Sequence, residues 1–238
     1  MMRSLRVIKF VGLLFGLMLV VQPVRAIYLN SLIYDIESDK QFLSIPVVND
    51  TSRSNLYTVS AFRIDKPGEG GENRIRGSEM DVIWSPLSIT IPAGGKDFFK
   101  VFYRGPKDNQ ERYFRIVFRE SPITIIPFRN DEKATDVVPM VTMSAILIVR
   151  PRNTNLMHAI DERNGVIKNT GNTFFRVIIQ KGCNGDDESS EQFYMLPGES
   201  YQSAAVRGEN KKFIVALGKY IPLGEMCVNQ SSGNADKK

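Results

Sequence analysis

Residues Val137 to Val149 read VVPMVTMSAILIV, an apolar run rich in β-branched residues and near the upper end of strand length. Its apolar side chains fall on both parities. Val137, Val141, Met143, Leu147 and Val149 share one face, and Val138, Met140, Ile146 and Ile148 the other, with Thr142 and Ser144 interrupting. A strand apolar on both faces is normally buried in mid-sheet. Pro139 opposes that placement, because proline gives a ladder no N–H and is confined to edges, strand starts and bulges. Two readings follow. Either Pro139 marks the strand start, or the first half of the strand is a sheet edge offered to a strand of another protein.

Upstream, short strand-like runs alternate with turns. Leu56 to Ile64 (LYTVSAFRI) alternates, and Glu111 to Glu120 (ERYFRIVFRE) sends Phe114, Ile116 and Phe118 toward a core, with Tyr113, Arg115, Val117 and Arg119 outward. Ile27 to Ile36, Gln41 to Asn49, Glu79 to Trp84, Ser88 to Ile91 and Asp97 to Tyr103 are further runs. Asn49 heads a turn cluster, Asn49-Asp50-Thr51-Ser52. Asp65 to Ser78 is a polar, glycine-rich connection without the lysine-serine/threonine pair of a phosphate loop. Together these give roughly seven strands before residue 150, as an immunoglobulin-like sandwich requires. Arg150-Pro151-Arg152-Asn153 breaks the pattern and marks a domain boundary, since proline stiffens the chain and extends the residue before it. The rhythm then restarts at Gly165 to Lys168, Thr173 to Gln180, Glu191 to Leu196, Ser200 to Val206 and Lys212 to Leu217. The expected architecture is all-β, in two sandwich domains.

At the start, Arg3, Arg6 and Lys9 precede an apolar run from Phe10 to Val21, then Pro23 and Val24-Arg25-Ala26. This is the layout of a secretory signal peptide, giving a mature chain from about Ile27; an uncleaved anchor is the alternative. The 238-residue sequence has a formal charge of +5, of which Arg3, Arg6, Lys9 and Arg25 supply all but +1. The basic balance is therefore no argument for a nucleic acid or an anionic membrane as partner. No other apolar run approaches the length of a membrane span, so no stable membrane insertion is expected after cleavage. In an exported protein the two cysteines, Cys183 and Cys227, are expected to form one disulfide, with two free thiols as the alternative. His158 is the single histidine, so no metal-ligand set assembles and no cofactor is expected. No nucleophile elbow occurs. A pair of carboxylates as acid and base is the one enzymic reading left.

Several stretches carry a family resemblance: Val48-Asn49, Ser85-Pro86 then Pro92-Ala93-Gly94, GPKDNQERYFRIVFRESP at 105–122, ILIVRPR at 146–152 and NTGNTFFRVIIQKGC at 169–183. In this order they resemble the PapD-like periplasmic chaperones of the chaperone/usher pathway. The similarity is greatest to chaperones of the common pilus and alternate fimbrial systems, and it covers nearly all of the mature chain. With the signal peptide read at 1–26, the boundary at Arg150-Pro151 and a polar tail from Gln230 to Lys238, the resemblance implies that 27–150 and 151–238 are two immunoglobulin-like domains at an angle. It further implies a periplasmic, non-enzymatic chaperone that completes pilus subunits by donating its long strand and delivers them to the outer-membrane usher. The subunit-binding residues it implies are Val137, Pro139, Val141 and Met143, while a one-residue shift of register selects Val138 and Met140. Other branches of that family hold the subunit's terminal carboxylate with two basic cleft residues. Here the matching positions are uncharged, around Ile33-Tyr34 and at Ile146. Arg112, Arg115, Arg150 and Arg152 are the basic substitutes, with Arg115 and Arg150 the first candidates, because a guanidinium can grip a carboxylate with two parallel hydrogen bonds. A free chaperone could also cover its exposed edge by dimerising. The competing reading is a structural fimbrial subunit or surface adhesin, which would carry a donor extension and an incomplete sandwich.

Overall fold

A computed structural model describes residues 26–68, 70–123, 140–224 and 227. The expected signal peptide, the Val137-to-Pro139 stretch and the polar tail lie outside the described residues, apart from Ala26. The first sandwich is built from β1 (Ile27–Leu29), β2 (Ile33–Ile36), β3 (Phe42–Asn49), β4 (Asn55–Ile64), β5 (Val82–Ser85), β6 (Ser88–Ile91), β7 (Lys96–Tyr103), β8 (Arg112–Pro122) and β9 (Val141–Val149). One sheet runs β1-β3-β7-β5 and faces a second, β2-β9-β8-β4-β6. Alternation decides which side chains meet between them. Ile45, Val47, Tyr57, Phe99, Val101, Phe114, Ile116, Phe118 and Leu147 are all buried in one apolar core, the dominant stabilising element of such a layer. Phe114, Ile116 and Phe118 thus face inward as the alternation of 111–120 requires.

The first run, read as one strand over Ile27 to Ile36, is two. β1 pairs antiparallel with β3, and the chain then crosses to the other sheet, where β2 pairs parallel with β9. The Ser31 hydroxyl makes the step, donating to the Ile33 carbonyl at 2.7 Å and accepting its N–H at 3.1 Å. Such local side-chain bonds offer the backbone an alternative to a ladder. Asn49 holds the neighbouring turn: its side chain, fully buried, donates to the carbonyls of Arg53, Ile91 and Pro92 at 2.8 to 3.0 Å.

The second sandwich comprises β10 (His158–Asp161), β11 (Val166–Asn169), β12 (Phe175–Gln180), β13 (Glu191–Met195), β14 (Ser200–Gln202), the short helix α1 (Ala204–Arg207), β15 (Lys211–Ala216) and β16 (Lys219–Leu223). Its sheets are β10-β11-β14 and β13-β12-β15-β16, and Ile167, Phe175, Val177, Met195, Val206 and Ile214 form a separate core. The expected strand over Ser200 to Val206 stops at Gln202, because Ser203 caps α1 by accepting the Ala205 N–H at 3.2 Å. The Cys183–Cys227 disulfide forms as expected, with Cα atoms 5.3 Å apart, and closes a loop 44 residues long.

Candidate functional site

The long strand changes character along its length. β8 pairs with all of β9, from Arg112 opposite Val149 to Glu120 opposite Val141. On the other side β2 reaches only Ile146 to Val149. The last half of β9 is therefore central and buried on both faces, whereas among the described residues no strand covers Val141 to Ala145. This settles the conflict between apolar content and edge position, since one strand holds both environments in turn. On the free half, Val141 and Met143 point to the core side and pack against it, yet both stay only partly buried. Thr142 and Ser144 are exposed on the opposite face. The core between the sheets is thus incompletely covered where the edge is free. Val137 and Pro139 lie outside the described residues.

The opposite face of β9 looks toward the second sandwich. Ile146 and Ile148 join Ile64, Tyr113 and Phe174 in a third apolar cluster. Next to it is a cavity of 330 Å³ lined by Ile33, Pro67, Gly68, Ile146, Ile148, Phe174, Tyr194, Leu196 and Glu199. Pro67 and Gly68 come from the Asp65-to-Ser78 stretch, whose described residues fold back along the end of β4: Ile75 donates its N–H to the Arg63 carbonyl, Asp65 to that of Asn73 and Glu72 to that of Lys66. Tyr113, placed outward by alternation, is 7% exposed, because the outward face of β8 is here roofed by the second sandwich.

A buried polar chain joins the two units. Glu111 accepts the Thr173 hydroxyl at 2.6 Å, the Tyr113 hydroxyl at 2.7 Å and the Phe174 N–H at 3.0 Å. Arg150 donates to Thr173 Oγ1 at 2.7 Å and to Asp35 at 2.6 Å, and its guanidinium lies 4.5 Å from the Phe174 ring centroid. Burial raises the Glu111 carboxyl above its usual range, opposed by the hydrogen bonds from Thr173, Tyr113 and Phe174 and by Arg150. Sequence reasoning missed Glu111 and Thr173, which look like ordinary strand polar residues and meet only across the junction.

The candidate arginines divide by environment. Arg150 has its side chain 6% exposed and is committed to Asp35, Thr173 and Phe174. Arg112 grips Asp108 with both terminal nitrogens, at 2.6 and 2.7 Å, and this bond holds the Asp108 carboxyl at about 2. Arg152 donates to the Ser38 carbonyl at 2.6 Å. Arg115 remains partly accessible, with its side chain 20% exposed and paired to Glu72 of the Asp65-to-Ser78 stretch. It lies opposite Ile146 in the β8–β9 ladder, on the face that looks into the cleft.

Two immunoglobulin-like sandwiches with a half-covered strand at the junction between them have the architecture of the PapD-like pilus chaperones. The EcpB C-terminal domain family matches residues 159–223. The probable fimbrial chaperone EcpE of Escherichia coli O127:H6 (strain E2348/69 / EPEC) is 32% identical over 213 residues, covering 88% of this chain and 89% of its own. The probable fimbrial chaperone EcpB of Klebsiella pneumoniae (strain 342) is 30% identical over 206 residues, covering 85% and 92%. The crystal structure of the class 5 fimbriae chaperone CfaA superposes with a TM-score of 0.52 at 16% identity, over 85% of this chain and 99% of that one, a likeness of fold. The chain belongs to the EcpE/EcpB family of fimbrial chaperones, whose members are not enzymes.

Proposed function

We propose that the chain works in the periplasm, holds a pilus subunit by adding its own β9 edge to the subunit's sandwich, and delivers it to the outer-membrane usher. The observation that carries this is the free edge from Val141 to Ala145, on which Val141 and Met143 face the core yet are only partly buried by their own domain. An incoming strand would satisfy the unpaired backbone groups and bring its own apolar face to Val141 and Met143, merging two cores into one. Val137 and Pro139 extend the same parity. The two domains divide at Arg150-Pro151. In the free protein the same edge is covered by a second copy, because an apolar edge left bare promotes association. Arg115 is the basic residue that a subunit's terminal carboxylate can reach, by displacing Glu72, while Arg150 sets the junction.

The test is periplasmic co-expression of the tagged chain with pilus subunits, followed by pull-down and mass spectrometry. A one-to-one complex that is lost on Val141→Asp or Met143→Asp supports the reading. A complex that survives both substitutions in folded protein overturns it.

A further inference from the structure

We propose that the cleft cavity between the two sandwiches is a specificity pocket that accepts a large apolar side chain at the end of the bound subunit strand. The inference rests on strand addition at the β9 edge and adds what the end of that strand must look like. β2 is its starting point. By pairing with Ile146 to Val149, and through the Ile146 N–H donated to the Leu32 carbonyl at 2.9 Å, it closes the β9 edge just beyond Ala145. A strand added to Val141–Ala145 therefore stops or turns at Ile33 and Ile146, at the mouth of the cavity. A side chain on the cleft face of that last residue enters a space walled by Ile33, Ile146, Ile148, Phe174, Tyr194 and Leu196.

The chemistry of the walls selects the occupant. At 330 Å³ the space has room for a large side chain, and most of its lining is apolar. Among the described residues its only charged lining residue is Glu199, which already accepts the Leu196 N–H at 2.8 Å and disfavours an acidic side chain. Ile33 and Tyr194 are 36% and 48% exposed, so apolar surface stands open for a partner to cover. Arg115, beside Ile146, would then meet the terminal carboxylate while the cavity takes the side chain of the same residue.

Ile33→Ser, Ile33→Arg and Tyr194→Ala test this, measured by capture of the subunit recovered in the pull-down above. Both Ile33 and Tyr194 are accessible enough for substitution without unfolding, which a thermal melt of each variant checks. Each is expected to weaken capture roughly tenfold, the loss of about 1.4 kcal/mol of contact. Changing the subunit's last large apolar residue to serine should weaken capture equally and add nothing on top of Tyr194→Ala. Unchanged capture by both Ile33→Ser and Tyr194→Ala, or stronger capture by Ile33→Arg, overturns the pocket. If Val141→Asp also leaves capture unchanged, strand addition itself has failed; if Val141→Asp abolishes capture, only the pocket has.

Discussion

The carboxylate of Glu111, at the start of β8, accepts the hydroxyl proton of Thr173 at 2.6 Å, although the two residues belong to different sandwiches. That bond, with the Phe174 N–H and the Arg150 guanidinium beside it, fixes one unit against the other through polar groups that water does not reach. A buried acceptor without its donor costs about 1–3 kcal/mol. Thr173→Val should therefore destabilise the protein by that amount and separate the melting of the two sandwiches, observable as a second calorimetric transition.

Glu111 also predicts a pH dependence. Its folded carboxyl titrates above its usual value because burial disfavours the charge. For a raised folded pKa the stabilising contribution is complete below the unfolded value, about 4.3 for glutamate, and is lost as pH rises through the folded one. Denaturant midpoints of the native protein should accordingly fall over that window, and Glu111→Gln should remove this part of the slope while lowering stability overall. An unchanged slope would contradict the burial of this group.

Cys183 and Cys227 close a 44-residue loop in the second sandwich. By chain entropy this is worth about 4 kcal/mol, with measured cases commonly 2–4. Cys183→Ser paired with Cys227→Ser should lower the unfolding free energy by that order and shift the second sandwich more than the first. Chemical denaturation with and without reductant measures it.

The two candidate arginines should separate cleanly. Arg150→Gln removes charge-assisted bonds to Asp35 and Thr173, each worth about 1.5–3 kcal/mol, so its first effect is on stability. Arg115→Gln loses a partly exposed pair worth about 1 kcal/mol or less and should leave the melting temperature nearly unchanged. It should weaken subunit capture severalfold and flatten the dependence of capture on salt. Binding assays at two ionic strengths distinguish this from a general loss of fold.

Side-chain alternation made the cores legible in advance. Phe114, Ile116 and Phe118 are buried where the period-two pattern of 111–120 puts them, and the apolar content of 137–149 set against Pro139 left open the strand, part edge and part centre, that β9 is over Val141–Val149. What alternation cannot carry is a change of partner. Asn30-Ser31-Leu32 moves the chain from one sheet to the other without a proline or glycine to signal it, so one run became β1 and β2. β10 and β16 escaped notice because His158–Asp161 is short and polar, and because Pro222 within Lys219–Leu223 argues against a strand unless it lies at an edge, as it does here. Tyr113, Glu111 and Thr173 were unreadable for another reason: their surroundings come from residues about sixty positions away.

The crossing of the first strand sets where a guest strand must end. β2 pairs with Ile146 to Val149, so the β9 edge is closed on the side of Arg150 and a strand added along it meets a fixed stop just beyond Ala145. A slip of one residue would turn every side chain of the guest to the other face. β2 is thus an abutment as well as a strand: it gives the guest a zero from which its register is counted.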